Sequence, residues 1–303
     1  MRQALSDGLV RAAKNNPKII LLTGDHGYAL FDEFRTNFPD QYLNAGIAEQ
    51  NMVGMAAGLA RAGYFPIVYG LSAFIPIRVL EQIKLDVCHD NLPVIFLGDG
   101  AGFVYSSLGT SHQSTEDIAA TRAVPNLTIF SPADRFEMSG VLEFALELRL
   151  PAYVRIGKSD VGDVHSRALD ISNSPISTLN KTGSKLSFIA TGSMVKMATK
   201  LGEEFGASVY SAPIIKPFNQ NKFLTLIANS REVVSFEEHS IYGGLGGVIA
   251  EVLSENHPAR LLRIGVNDRF SHCCGSYEYL LKEHGLNFDS VRIKIEHFLT
   301  KKN

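Results

Sequence analysis

The sequence is short of cysteine, of net charge and of long apolar runs, and each shortage excludes a class of protein. Its three cysteines are Cys88 and the adjacent pair Cys273 and Cys274. Neighbouring cysteines rarely form a relaxed disulfide with each other, so the cysteine content indicates a reducing compartment. A formal net charge of -2 provides no general basic field for nucleic acid. The longest uncharged stretch, residues 62–77, is interrupted by glycine and proline, which argues against a membrane span. We therefore expect a cytoplasmic protein that binds neither nucleic acid nor membrane.

The length and the apolar pattern predict two domains. A chain of 303 residues is long for one domain and comfortable for two. An amphipathic helix pattern precedes a buried-strand run at residues 19–22, and such patterns go on alternating along the chain. Periodicity is lost at residues 161–184, where Ser, Asn and Pro recur. We predict an α/β protein of two three-layer α/β/α domains with mostly parallel sheets, at residues 1–160 and 185–303, joined by this linker.

The chain is organised around residues 44–61, in which Glu49 precedes a run of small and apolar residues. Met52 and Met55 belong to an apolar set at helical spacing, so the pattern predicts a mostly buried helix with Glu49 in its first turn. A helix N-terminus stabilises a carboxylate, whereas burial beside Ile47 and Met52 favours the neutral acid. These opposed effects suit an acid that shares a proton, although a carboxylate satisfied by free backbone N–H groups is the structural alternative.

The string NAGIAEQNMVGMAAGLA at residues 44–60 resembles the pyrimidine-binding domain signature of transketolase-type thiamine diphosphate enzymes. The resemblance implies a pyrimidine-binding domain followed by a transketolase C-terminal domain, with thiamine diphosphate as cofactor. In this family a glutamate hydrogen-bonds the aminopyrimidine ring and promotes the imino tautomer that deprotonates the thiazolium carbon. That role corresponds to Glu49. The resemblance covers nearly the whole chain, but only the second half of a full transketolase.

The resemblance also implies an aromatic residue and a histidine at the site. The family's aromatic stacks on the pyrimidine ring of the cofactor and corresponds to Phe74, with Ile75 or Ile77 as the alternative alignments. The family has a Gly-Pro-Thr-His loop whose histidine faces the reacting carbons of the sugar. Here the loop at residues 109–113 reads Gly-Thr-Ser-His-Gln, so this role corresponds to His112, which can exchange a proton with a substrate hydroxyl near neutral pH.

Further polar candidates lie in or directly after predicted strands. Asp25 and His26 follow the strand at residues 19–22, and the carboxyl end of a parallel strand is where α/β folds place ligands. Both are second-rank site candidates, with a glycine-rich turn as the structural alternative, and Asp25 is the cofactor-binding candidate. Near the end of the first domain the family has an arginine that helps hold a substrate phosphate, which makes Arg155 a candidate and Lys158 a second one. A surface salt bridge is the alternative for both.

The sequence departs from the family at Leu108. Transketolases have an acid four residues before the loop histidine that recognises a sugar hydroxyl, and leucine cannot accept that hydrogen bond. The sugar is therefore not specified by the resemblance. Residues 98–100 read Gly-Asp-Gly, like the family's Mg²⁺ motif, but Leu127 follows Asn126 where that motif has an asparagine pair. The segment also lies downstream of Glu49, so we interpret it as a strand-end turn and predict no metal ligand in this chain.

The missing half of a transketolase is the one that holds Mg²⁺ and the diphosphate, so the resemblance implies that this chain has half a site. We expect the C-terminal subunit of a split, two-component transketolase. Its partner is an N-terminal-half subunit that carries the Mg²⁺, in an α₂β₂ heterotetramer. The reaction moves a two-carbon ketol unit from a sugar or sugar phosphate to an aldehyde. The alternatives are a 1-deoxyxylulose-5-phosphate synthase-like half, a 2-oxoacid dehydrogenase β-subunit-like protein and a non-catalytic interaction subunit.

Overall fold

The computed structural model describes residues 1–158 and 160–301, which form two mostly parallel sheets with helices packed against them. This confirms the predicted fold class. The strands are β1 (Ile19–Thr23), β2 (Tyr42–Asn44), β3 (Phe65–Leu71), β4 (Ile95–Asp99), β5 (Thr128–Phe130), β6 (Ala152–Ile156), β7 (Ser177–Asn180), β8 (Leu186–Ala190), β9 (Ser208–Ser211), β10 (Ile214–Lys216), β11 (Glu232–Ser240) and β12 (Arg260–Val266).

The helices alternate with the strands through most of the chain. They are α1 (Arg2–Asn15), α2 (Asp32–Asn37), α3 (Glu49–Arg61), α4 (Leu80–Gln82), α5 (Asp117–Arg122), α6 (Arg135–Leu148), α7 (Val195–Phe205), α8 (Gln220–Leu226), α9 (Leu245–Asn256), α10 (Tyr277–Glu283) and α11 (Phe288–Thr300). Short 3₁₀ turns include Ile77–Val79 and Ser106–Leu108, and a π-helical turn covers Ile83–Cys88. Within the described ranges no helix is long and apolar enough to cross a membrane.

The seven-stranded sheet has the order β10-β5-β6-β4-β3-β1-β2, and the five-stranded sheet has the order β12-β11-β8-β9-β7. All neighbouring strands are parallel except that β10 is antiparallel to β5 and β7 is antiparallel to β9. The two antiparallel strands are both at a sheet edge. Because the other strands of the first sheet are parallel, their carboxyl ends all lie along one edge.

The first sheet lies between two apolar layers, because successive strand residues point to opposite faces. Ile19 and Leu21 of β1 pack with apolar residues of α1 and α6, whereas Ile20 and Leu22 pack with those of α3. A strand that is buried on both faces has a continuous apolar run, which is why residues 19–22 could be recognised in the sequence. The core on the α3 side also includes Ile189 of β8, so it continues into the second sheet.

The central helix α3 begins at Glu49, as predicted, and buries Met52 on the core side. The prediction that Ile47 helps to bury Glu49 was wrong, because Ile47 is 76% exposed. Gly54 and Gly58 are exposed as well, and apart from the adjacent residues and the helix's own backbone no atom of the described residues lies within 4 Å of the position that a Cβ would take. These three residues lie on one open face of the segment, which we call the open face of α3.

Two strands differ from the predicted division of the chain. β7 lies inside the range predicted as the linker, residues 161–184, yet it pairs with β9 of the second sheet. β10 follows β9 in the chain but pairs with β5 of the first sheet. Both strands are short, and the polar composition of β7 lacks the apolar run that marks the buried strands. The predicted domain limits at residues 160 and 185 stay a prediction.

Candidate active site

Side chains from four connections meet at the carboxyl edge of the first sheet. His26 follows β1, Glu49 follows β2, Phe74 follows β3, and His112 lies between β4 and β5. Because the carboxyl ends of parallel strands lie along one edge, this is the position at which α/β folds bind ligands. The three residues that the resemblance singled out first, Glu49, Phe74 and His112, thus come from separate parts of the chain to one place.

Glu49 is almost completely buried, with a side chain that is 4% exposed. Its Oε2 accepts a hydrogen bond from Nη1 of Arg78 at 3.0 Å, and the Arg78 side chain is 46% exposed. The other carboxylate oxygen, Oε1, is buried and has no hydrogen-bond partner among the described residues. A buried polar atom without a partner is costly. The carboxylate is therefore held by one oxygen and can accept a hydrogen bond from a ligand at the other.

Phe74 lies between Arg78, which binds Glu49, and the two histidines of the site. The guanidinium carbon of Arg78 lies 4.0 Å from the centroid of the Phe74 ring, so one arginine contacts both Glu49 and Phe74. The His112 ring meets Phe74 edge-on at a centroid distance of 5.3 Å, and the His26 ring lies 6.5 Å away. Phe74 remains partly exposed. This arrangement suits a flat heteroaromatic ligand that has N–H donors.

The alternatives to Phe74 are less well placed. Ile75 is fully buried in the core on the α3 side, so it presents no surface to a ligand. Ile77 opens a 3₁₀ turn and lacks the aromatic face that stacking requires. The contacts with His112 and Arg78 favour Phe74 as the aromatic residue of the site.

His112 lies in a tight turn, where its backbone N–H donates to the carbonyl of Gly109 at 3.0 Å. Its Nδ1 lies 2.9 Å from the Ser111 hydroxyl oxygen. Nε2 is therefore the ring nitrogen that is left for another molecule. Through Nε2, His112 can donate a proton to, or accept one from, a bound hydroxyl group.

Asp25 is directed into its own turn. Its carboxylate accepts hydrogen bonds from the Tyr28 hydroxyl at 2.5 Å and from Nδ2 of Asn44 at 3.4 Å. These hydrogen bonds lower the pKa of Asp25 below its usual value, and the bond from Tyr28 has the largest effect. The neighbouring His26 lies toward Phe74 instead, and its Nε2 is buried without a partner among the described residues. The cofactor role of Asp25 stays a prediction, and sequence reasoning gave too little weight to His26.

Arg155 cannot bind a substrate phosphate in this structure, which corrects the sequence-based prediction. Its side chain is 3% exposed. Nε donates to both carboxylate oxygens of Asp117 at 2.8 and 3.1 Å, and Nη2 donates to the carbonyls of Ser114 and Glu238 at 3.1 and 2.9 Å. The Tyr153 hydroxyl donates to the same Asp117 carboxylate at 2.6 Å. Arg155 is therefore a structural residue that joins the two halves of the chain.

Lys158 is better placed than Arg155 to meet a ligand. It follows β6 at the carboxyl edge, and its side chain is 27% exposed. Its Nζ lies 3.0 Å from Asp160 and 5.3 Å from the centroid of the Tyr277 ring. The substrate role of Lys158 stays a prediction.

Leu108 replaces the acid of the family. It ends a 3₁₀ turn and is 52% exposed.

Residues 98–100 form the strand-end turn that the sequence predicted. β4 ends at Asp99, and Gly100 has a positive φ of 78°. The Asp99 carboxylate accepts a hydrogen bond from the Tyr69 hydroxyl at 2.8 Å and lies 3.7 Å from Nη2 of Arg2. Within the part of the chain that the structure describes, no group of three or more His, Cys, Asp or Glu side chains is arranged to hold a metal ion.

The second half of the chain supports the segment around His112 through buried polar residues of β11. Oε1 of Glu238 accepts a hydrogen bond from the backbone N–H of Phe103 at 2.7 Å. His239 is fully buried, its Nδ1 lies 2.8 Å from the carbonyl of Ser240, and its Nε2 accepts from the N–H of Ala119 at 3.3 Å. Burial lowers the pKa of His239 to about 4. The ring is therefore a neutral structural contact between the two halves.

Two family matches together cover nearly the whole chain. Residues 1–163 match the family described as transketolase, pyrimidine binding domain, and residues 177–291 match transketolase, C-terminal domain. A solved structure described as a split gene transketolase, inactive beta4 tetramer, is 33% identical, with a TM-score of 0.90 over 100% of this chain and 99% of that chain.

Curated relatives of similar length are named as parts of transketolases. A subunit of the apulose-4-phosphate transketolase of Actinobacillus succinogenes is 32% identical over 93% of this chain and 93% of the relative. A putative transketolase C-terminal section of Methanocaldococcus jannaschii is 35% identical over 97% of this chain and 95% of the relative. The 1-deoxy-D-xylulose-5-phosphate synthase of Pasteurella multocida is 33% identical over 97% of this chain, which spans only 48% of that enzyme.

Proposed function

The chain belongs to the transketolase family, and we propose that it is the C-terminal-half subunit of a two-component transketolase that uses thiamine diphosphate. The observation that carries this proposal is that Oε1 of Glu49 is buried without a hydrogen-bond partner among the described residues, in the same site as the partly exposed Phe74 ring. A carboxylate oxygen that lacks a donor and an aromatic face together fit an aminopyrimidine ring. These residues belong to the part of the chain that matches the pyrimidine-binding family.

Glu49 and Phe74 would hold the aminopyrimidine ring. Glu49 Oε1 would accept a hydrogen bond from it and share its proton, while Arg78 keeps the carboxylate in place through Oε2. Phe74 would stack on the ring. Thiamine diphosphate, when bound, supplies the carbon nucleophile for the ketose carbonyl and stabilises the negative charge that follows carbon–carbon cleavage. Nε2 of His112 would donate a proton to, or accept one from, a substrate hydroxyl.

The substrates are a ketose donor and an aldehyde acceptor, between which a two-carbon ketol unit moves. A sugar phosphate is the favoured donor, because the cation of Lys158 lies at the same sheet edge as Glu49 and Phe74. A lysine ammonium binds phosphate as a point charge. Leu108 provides no hydrogen-bond acceptor at its position, so donor recognition differs from that of transketolases that carry an acid there.

The active enzyme would have a partner, because relatives of similar length are named as a transketolase subunit and as a transketolase C-terminal section. The partner would be an N-terminal-half subunit that holds Mg²⁺ and the diphosphate, in an α₂β₂ assembly in the cytoplasm. A similar split gene transketolase is described as an inactive tetramer of four beta subunits. This agrees with a beta subunit that is inactive without its partner. The open face of α3, which includes Ile47, Gly54 and Gly58, lies beside Glu49 and can receive another chain.

The test is ketol transfer by the chain reconstituted with its N-terminal-half partner. β-Hydroxypyruvate serves as donor and glycolaldehyde as acceptor, and formation of the four-carbon ketose is measured with thiamine diphosphate and Mg²⁺ present. Glu49→Gln should lower kcat by about 10²-fold or more, because the proton-sharing acid is removed, while assembly with the partner is retained. Glu33→Gln is the matched control, since Glu33 is an exposed acid in the first turn of α2. Full activity of Glu49→Gln would refute the proposal.

A further inference from the structure

A segment of the second half, residues 271–284, packs against the loop that carries His112. The Cys274 sulfur lies so close to Gly109 that a Cβ at that position would be only 2.9 Å away. The Phe103 ring stacks on the His284 ring with 4.7 Å between their centroids. Residues 271–284, which are distant in sequence, therefore cover Gly109 at the start of the His112 loop. They also cover Phe103 in the segment that precedes this loop.

Ser271 connects this segment to the residue next to His112. Its hydroxyl oxygen lies 2.9 Å from Oε1 of Gln113 and 2.9 Å from Nε2 of His284. A hydroxyl has one hydrogen, so it donates to Gln113 Oε1 and accepts from the Nε2–H of His284. Gln113 is 6% exposed and His284 is 4% exposed. Water therefore competes little for these two hydrogen bonds.

The protonation state of His284 fits this arrangement. Its Nδ1 is buried and has no partner among the described residues. A proton there would be a buried donor without an acceptor, which is costly. Burial, followed by the charge of Arg269, lowers the pKa of His284 below its usual value. The ring is thus neutral near pH 7 and keeps its one proton on Nε2, which points toward Ser271.

Gln113 transmits this contact to His112 through the turn. The backbone N–H groups of His112 and Gln113 both donate to the carbonyl of Gly109, at 3.0 and 3.2 Å. When the Gln113 side chain is fixed, the turn cannot rotate freely, and the His112 ring keeps its edge-on contact with Phe74. A displacement of about 1 Å of a catalytic group can lower a rate by about 10²-fold.

We propose that Ser271 is a positioning residue of the transketolase site, which holds His112 in place through Gln113 and is itself oriented by His284. This inference rests on the proposed function, and it gives the C-terminal domain a role in positioning a catalytic residue. Ser271 does not touch the substrate. Its effect on the rate must therefore pass through His112, and this can be measured as a coupling between the two residues.

The test is a double-mutant cycle on kcat in the reconstituted enzyme, with β-hydroxypyruvate and glycolaldehyde as substrates. Ser271→Ala should lower kcat by about 10-fold to 100-fold, and Ser271→Thr should recover most of the loss because it keeps the hydroxyl. In a His112→Ala background, Ser271→Ala should cause less than about a twofold further loss. If the two losses multiply, Ser271 acts independently of His112 and the proposal is overturned.

The matched control is Ser276→Ala. Ser276 belongs to the same segment, and its hydroxyl caps α10 by accepting from the N–H of Tyr279 at 3.1 Å. Losing this cap weakens the start of α10 without removing the Gln113 contact. Its kcat should stay within about twofold of wild type in both backgrounds. A loss equal to that of Ser271→Ala would show that general loosening of the segment, and not the Ser271 hydroxyl, sets the rate.

A second readout separates this inference from the proposed function. In the isolated chain, hydrogen exchange of the backbone amides at residues 110–116 should be about 10-fold faster in Ser271→Ala than in wild type or Ser276→Ala. An unchanged exchange rate overturns the positioning role even if the enzyme is a transketolase. If the wild-type pair has no ketol-transfer activity, the proposed function fails, and the exchange measurement alone decides whether Ser271 holds the loop.

Discussion

Replacement of Arg155 by methionine is expected to lower the free energy of unfolding by about 3–5 kcal/mol. The guanidinium makes four hydrogen bonds, two to the Asp117 carboxylate and one each to the carbonyls of Ser114 and Glu238. Methionine has similar volume but donates none of them. The Asp117 carboxylate, which is 0% exposed, would then keep only the Tyr153 hydroxyl as a donor among these contacts and would remain an uncompensated buried charge.

The assay is equilibrium denaturation of the isolated chain in guanidinium chloride, with three comparison variants: Arg11→Met, Asp117→Asn and the double variant Arg155→Met/Asp117→Asn. Arg11→Met is the surface control, because Arg11 is 60% exposed and its ion pair with Glu143 is long, at 4.0 Å. Its unfolding free energy should change by less than about 0.5 kcal/mol. The double variant Arg155→Met/Asp117→Asn removes both charges, so its loss should be smaller than the sum of the two single losses by at least about 1 kcal/mol.

A loss below about 1 kcal/mol for Arg155→Met would refute this reasoning. An increase in KM for phosphorylated donors, with stability unchanged, would restore Arg155 to the substrate site where the sequence placed it. A large loss of stability, with the donor preference of the folded fraction unchanged from wild type, agrees with the buried contacts seen in the structure.

Three further predictions concern the acid stability of the chain and its ligand contacts. Because the pKa of His239 is lowered to about 4, the unfolded chain takes up a proton from about pH 6.5 downward and the folded chain does not. Wild type should thus lose up to ~3 kcal/mol of stability between pH 7 and pH 4 that His239→Gln does not lose, as measured by urea denaturation; equal losses would contradict this. Phe74→Ala should weaken thiamine diphosphate binding in the reconstituted enzyme by about 10-fold, as measured by calorimetry, and an unchanged Kd would exclude stacking on Phe74. Lys158→Met should raise KM for a ketose phosphate donor by about 10-fold and leave KM for β-hydroxypyruvate unchanged, whereas equal effects on both donors would argue against a phosphate contact.

The elements that depend on local pattern could be predicted from the sequence. The helix that begins at Glu49 follows from apolar residues at helical spacing, and the strand at residues 19–22 follows from a continuous apolar run. The resemblance then selected Glu49, Phe74 and His112, and the structure brings all three together at one sheet edge. Their roles toward the cofactor and substrate stay predictions.

Features that depend on strand order or on distant contacts could not be predicted. Strand order brings His26 of the turn after β1 toward Phe74 after β3, although sequence alone ranks Asp25 as its equal. Gln113 and Ser271 are 158 residues apart in the chain, and no local pattern connects them. For Arg155 a usable signal was present. All five residues of β6 are buried, and an arginine within a strand that is buried on both faces needs a buried partner, which Asp117 provides.

The exposure of Ile47 also could not be predicted from the local pattern. Its place in an apolar string suggested burial, but the core of a single chain lies on one side of α3. Residues on the open face of α3, such as Gly54 and Gly58, are small or apolar without being covered by this chain. A sequence does not distinguish a residue that is buried within its own chain from one that is suited to contact with another chain.

The most direct test of the split-site account is a calorimetric titration of thiamine diphosphate with Mg²⁺. The ligand is titrated into this chain alone, into the N-terminal-half partner alone and into the mixture. The account predicts binding at micromolar or lower Kd only in the mixture, and Glu49→Gln in the mixture should weaken it. Tight binding to this chain alone would contradict a shared site and would require a diphosphate site here, with residues 98–100 as the first place to look. No binding in the mixture would contradict the account itself.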